Sequence, residues 1–169
     1  VDGEGRAIGA FRENALPLVQ SHITRPTREQ IKGMILNATA EMNSYGLTSV
    51  QSDDLGSIPG YSYKEILEIF EEMSENGELN IRVYEQCRLK GDTLKEFLDA
   101  GYTTGVGNEY FKIGPLKLFL DGSLGARTAA MREGYSDDDN EFGLMTATEE
   151  EIDEMVGLWV SIIFIPFSW

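Results

Sequence analysis

Residues 111–129 read FKIGPLKLFLDGSLGARTA, and the fold is decided by how this stretch is read. Tyr110 to Asp121 is a long apolar run broken by Gly114-Pro115. Leu116 to Leu120 has the length and character of a buried strand, with Lys117 embedded between Leu116 and Leu118. Burying an ammonium costs several kcal/mol unless it is paired or its charge is altered. Two readings follow. In one, Lys117 reaches a carboxylate such as Asp121. In the other, it is a reactive lysine, open to carboxylation. Beyond the strand, Gly122-Ser123-Leu124-Gly125 makes a tight loop through which backbone can approach a bound group closely.

Outward from this strand, helical and strand patterns alternate. Thr27-x-x-Gln30 reads as a capping box opening a helix with Ile31, Met34, Ile35, Ala38 and Met42 on one face, stopped at Gly46. Leu47 to Gln51 reads as a short strand, followed at its C-terminal end by Asp53 and Asp54. Ser62-x-x-Glu65 opens the next helix, with Ile66, Leu67, Phe70 and Met73 as its stripe and Gly77 as its stop; Ile81 to Glu85 is the next strand. Asp92 is expected to cap a shorter helix carrying Leu94, Phe97 and Leu98, ended by Gly101. Residues 102–109 form a loop. Thr148-x-x-Glu151 opens a last helix with Ile152, Met155, Val156 and Trp159 on one side. Residues 1–25 are expected to be an irregular lead-in with a short helix from Arg12 to Gln20.

Alternation of this kind predicts an α/β fold with a parallel sheet and crossover helices. Three to four βα units fit within residues 26–157, whereas a complete (β/α)₈ barrel needs about 250 residues. The expectation is one partial TIM-barrel unit, with an open doubly wound sheet as the alternative. In either arrangement functional groups gather past the C-terminal ends of the strands, where Asp53 and Asp54 lie; a turn or capping role serves them equally well.

Composition narrows the function. Twenty-nine acidic against 14 basic residues give a net charge of −15, which repels phosphate backbones and excludes nucleic acid as an expected partner. The single cysteine, Cys87, forms no internal disulfide and suits a reducing cytoplasm. The first nine residues lack the apolar segment of a signal peptide. Leu158 to Trp169, an apolar tail interrupted by Ser161, Pro166 and Ser168, is too short to span a membrane. The only histidine is His22, so a zinc site or a nucleophile–histidine pair built within this chain alone would be unusual. Gly105-x-Gly107 meets Tyr110 where a dinucleotide loop needs glycine. The acidic run from Asp137 places Phe142 and Thr148 where a calcium loop needs glycine and glutamate.

Residues 114–138, GPLKLFLDGSLGARTAAMREGYSDD, strongly resemble the amidohydrolase-3 branch of the amidohydrolase superfamily, which includes N-substituted formamide deformylase-like proteins. The resemblance extends upstream through GLTSVQSDD and IRVYEQ and downstream to GLMTATEEEIDEMV, covering roughly residues 5–157. It implies a (β/α)₈ barrel of which the three strands are the second, third and fourth, and hydrolysis of a C–N bond in a small-molecule amide or N-acyl compound. It also implies a divalent metal, zinc above others, that activates water and polarises the carbonyl. By the same resemblance Lys117 is a carboxylated metal ligand; Asp121, Ser123 and Arg127 on the loop above the strand, with Asp53 and Asp54 past the earlier strand end, are the expected substrate-pocket residues. The family's other ligands look like a His-x-His pair on the first strand, histidines on the fifth and sixth, and an aspartate on the eighth; none of those segments occurs here. Where the resemblance implies a His-Ala-Ile-Gly-Asp-like strand, the chain reads LWVSIIFIPFSW. The chain is therefore expected to be an internal piece of a metal-dependent hydrolase, holding no metal and catalysing nothing by itself, and to self-associate. Two alternatives stay open: a non-catalytic α/β binding or oligomerisation module, and a small metal site made of Asp53, Asp54 and Asp121.

Overall fold

Thr27 and Ser62 each start a helix by the reciprocal exchange their spacing predicts. The Thr27 hydroxyl accepts the Gln30 N–H at 3.2 Å and the Gln30 side chain accepts the Thr27 N–H at 2.8 Å. Ser62 and Glu65 repeat the exchange at 3.3 and 2.9 Å, as do Thr148 and Glu151 at 3.2 and 2.8 Å. Each box satisfies two of the four N–H groups that a helix start leaves unpaired. The computed structural model describes residues 4–6, 9 and 16–163. Within them run α1 (Pro17–Gln20), α2 (Arg28–Ser44), β1 (Ser49–Ser52), α3 (Tyr63–Glu75), β2 (Arg82–Cys87), α4 (Gly91–Asp99), β3 (Phe111–Leu116) and α5 (Glu149–Ile163). Arg12 to Ala15 and residues 164–169, parts of the expected first helix and of the apolar tail, lie outside the described residues.

The three strands pair in parallel in the order β1-β2-β3, as the alternation predicts. Two boundaries are corrected. The third strand is Phe111–Leu116, not Leu116–Leu120, so Lys117 stands just past the strand end rather than inside it. Gly114-Pro115 lies within the strand instead of breaking it; proline is tolerated because β3 is an edge of the described sheet. Asp92 does not cap α4 either. The cap position belongs to Lys90, without a side-chain bond, and Asp92 sits in the first turn, where its charge favours the positive end of the helix.

One apolar core joins all the longer helices to one face of the sheet. Ile31 of α2, Ile66, Phe70 and Met73 of α3, Leu94 and Phe97 of α4, and Met155 and Trp159 of α5 cluster with Val83, Cys87, Phe111 and Ile113 of the strands. Phe70 stacks on Phe111 with ring centroids 5.2 Å apart. Met34 and Val156, assigned to apolar helix faces, are instead exposed. The opposite sheet face carries Ser49, Gln51, Arg82, Tyr84, Gln86 and Lys112, exposed or half-buried, and no helix among the described residues joins it to a core. A doubly wound sheet needs helices on both faces. Helices on one side only fit a partial β/α unit.

The outer edge of β3 is partly closed by its own preceding loop. Gly105 N–H donates to Ile113 O, Ile113 N–H to Val106 O and Asn108 N–H to Phe111 O, at 2.7–2.8 Å. Covering an edge in this way removes unpaired donors and acceptors that would otherwise recruit another chain.

Candidate functional site

The C-terminal ends of the three strands bring together residues from three loops, as parallel α/β folds do. Arg88, one residue past β2, ties them. Its guanidinium donates to the Ser57 hydroxyl at 3.2 Å, lies 3.8 Å from the Asp53 carboxylate, and sits 4.9 Å from the centre of the Phe119 ring. Lys117 places its ammonium 5.0 Å from the same ring. The sheet's mouth thus carries two cations on one half-exposed aromatic, in a chain whose net charge is −15. Cation–ring contacts at such distances contribute about 0.5–1 kcal/mol each at exposed sites.

Beneath them Glu85 of β2 is fully buried. One carboxyl oxygen accepts the Leu55 N–H at 3.0 Å, fastening the loop after β1 to the central strand. The other carboxyl oxygen is buried without a partner among the described residues. Burial, reinforced by the nearby Asp54 charge, pushes the Glu85 carboxyl up to about 8, so it is largely neutral at pH 7. Asp54 itself accepts from the Ser52 hydroxyl at 2.5 Å. Burial likewise raises the Cys87 thiol to about 12, which makes it an inert core group.

The residues singled out from sequence divide between this mouth and the long loop above it. Asp53, Asp54 and Lys117 belong to the mouth. Lys117 forms no ion pair with Asp121; instead Asp121 accepts the Ala130 N–H at 3.0 Å and bridges to Met145. The Ser123 carbonyl accepts three backbone N–H groups, those of Ala126, Thr128 and Ala129. Arg127, in left-handed backbone at φ 59°, pairs with Asp137 at 2.8 Å. Asp121, Ser123 and Arg127 therefore hold the loop's own shape. His22 is exposed, its ring bonded to the Leu18 carbonyl at 3.0 Å. Among the described residues no three His, Cys, Asp or Glu side chains gather as a metal requires. This overturns the self-contained site of Asp53, Asp54 and Asp121, and the donor set present here does not by itself fit a metal.

Glu85 and Arg88 were missed from sequence. Glu85 did leave a signal: in RVYEQC it occupies the same alternate set as Val83 and Cys87, a carboxylate on the core-facing side. Arg88 left none, because its role depends on which loops meet. With no ion pair to break, Lys117→Met is expected to change stability by no more than about 0.5 kcal/mol, measured by urea denaturation. A loss of several kcal/mol would show a buried pair at Lys117 instead.

The parallel three-stranded sheet with its helices is a partial β/α fold, and solved metal-dependent hydrolases share it. The sequence pattern of the Amidohydrolase family matches residues 1–160. The putative amidohydrolase YtcJ of Bacillus subtilis (strain 168) is 23% identical over 155 residues, covering 92% of this chain and 28% of that protein. An uncharacterized metal-dependent hydrolase from Pyrococcus horikoshii OT3 superposes with a TM-score of 0.70 at 24% identity, over 89% of this chain and 30% of the other. A second, from Pyrococcus furiosus, gives 0.65 at 24% identity over 88% and 29%. The chain belongs to the amidohydrolase family. It spans less than a third of the length of these relatives. No helix among the described residues is long and apolar enough to cross a membrane.

Proposed function

We infer that this chain is the part of a metal-dependent amidohydrolase that supplies Lys117 to the active site, in an enzyme hydrolysing a C–N bond of an amide or N-acyl compound, N-substituted formamides included. The observation that carries the reading is the position of Lys117 within a family-matched segment. It stands one residue past the C-terminal end of β3, over the Phe119 ring that Arg88 also meets, without a carboxylate ion-pair partner among the described residues. In the whole enzyme Lys117 would be carboxylated and would hold zinc with residues that lie outside these 169. The apolar groove of about 620 Å³ beside β1, lined by Ile23, Met34, Ile35 and Ile58, and the outer edge of β1, unpaired among the described residues, support self-association of the isolated chain.

Two measurements test this. Dialysed against zinc and then a weak chelator, the 169-residue chain is expected to retain far less than one zinc per molecule and to leave a panel of N-acyl amino acids and formamides intact. Stoichiometric zinc with turnover of any of them would show a complete site and sink the reading. Light scattering at micromolar concentration is expected to give a dimer or larger; a monomer removes the association.

A further inference from the structure

The pairing of β3 with β2 changes step once. Glu85 pairs with Ile113 and Cys87 with Leu116, so two steps on β2 answer three on β3. Residues paired in a parallel ladder point to the same face. Phe111 and Ile113 therefore face the helices with Val83 and Glu85, and Leu116 faces them with Cys87. Leu116 and Leu118 do pack against the core. Had the strand continued without the extra residue, Pro115 and Lys117 would have shared the inward face of Ile113. Instead Lys117, whose N–H donates to Cys87 O at 2.8 Å, turns to the face of Arg88, where both cations meet Phe119.

We propose that the one-residue bulge at Gly114–Pro115 is a positioning device that turns Lys117 out of the core and onto the open sheet face. Bulges next to active sites re-aim side chains in this way. Gly114 is required because the bulge presses β3 against β2: a Cβ there would lie 3.0 Å from Glu85 O and 3.2 Å from Gln86 N, both backbone atoms that cannot swing aside. The proposal rests on the reading of Lys117 as a site lysine and adds the residues that aim it.

The test is competitive acetylation of the full chain read by peptide mass spectrometry, with exposed Lys95 and nearly buried Lys32 as internal references. Lys117 is expected to react at a rate closer to that of Lys95. Gly114→Ala keeps the extra residue but fills its gap, and should shift the Lys117 rate by about fivefold or more as the strand end rearranges or opens. Deleting Pro115 removes the need for a bulge while leaving Leu116 inward and Lys117 outward. That deletion alone should hold the rate within about twofold of wild type, and combined with Gly114→Ala it should restore it. A deletion that slows Lys117 to the rate of Lys32, or a combination no better than Gly114→Ala, overturns the proposal. If the deletion variants do not fold, maleimide labelling decides. The Lys117→Cys thiol should react at least about tenfold faster than the Leu116→Cys thiol; equal or reversed rates overturn it. These readouts report side-chain facing and not metal. A buried Lys117 sinks the bulge's role alone, whereas an outward Lys117 in a family enzyme that keeps its metal as Lys117→Met sinks the ligand reading alone.

Discussion

Glu85→Gln is expected to stabilise the protein at pH 8 by several kcal/mol while leaving it nearly unchanged at pH 5. The wild-type carboxyl titrates near 4.5 when unfolded and at about 8 when folded, because burial and the Asp54 charge oppose its ionisation. Between those values the unfolded chain releases a proton that the folded chain keeps, so stability falls as pH rises through the window and levels off above about 8. Each unit corresponds to about 1.4 kcal/mol. Glutamine keeps an acceptor for the Leu55 N–H and cannot ionise. Its amide group replaces an equally unpartnered buried group, so the cost of about 1–3 kcal/mol for an unmade bond is common to both proteins. Urea denaturation at pH 5 and pH 8 reads the difference directly. Parallel losses in the two proteins would show that Glu85 is solvated or already ionised in the fold.

Gly143→Ala should release the 121–146 loop without unfolding the core. Gly143 stands at φ 69°, and a Cβ there would lie 1.9 Å from Ala129 O. The left-handed backbone alone costs an L-residue about 1–2 kcal/mol, and the clash with main chain adds to it. The bonds lost hold the loop together: Leu144 N–H to Thr128 O at 3.0 Å, Met131 N–H to Phe142 O at 2.9 Å and Thr146 N–H to Leu120 O at 2.8 Å. A local penalty of about 3 kcal/mol corresponds to roughly hundredfold faster amide exchange. Hydrogen exchange followed by mass spectrometry should show that acceleration across 121–146, with β2 and α3 still protected. Unchanged exchange in the loop would mean that it is not held by this close approach.

These effects also mark where the reading from sequence stopped. The helix starts were legible because Thr27, Ser62 and Thr148 each stand three residues before a Gln or Glu, a spacing whose hydrogen bonds close within a single turn. The parallel sheet was legible from alternation, and the family from residues 114–138. Strand boundaries were not, since the apolar run around Lys117 is continuous and only pairing with β2 shows where the ladder ends. Even there a trace existed. Phe111 and Ile113 are apolar at odd positions and Leu116, Leu118 and Leu120 at even ones, a slip of one residue across Gly114-Pro115 that a bulge produces. Which sheet face the helices cover was beyond sequence, because the same amphipathic helices serve either arrangement; it follows from the longer described helices joining one core on one face. The site divides the same way. Asp53 was singled out as a residue type at a strand end and Lys117 as a charge within an apolar run, both local information. Arg88 over Phe119, the neutral carboxyl of Glu85, and the structural use of Asp121 and Arg127 all depend on atoms 9 to 31 positions apart or on burial, and only tertiary packing creates either.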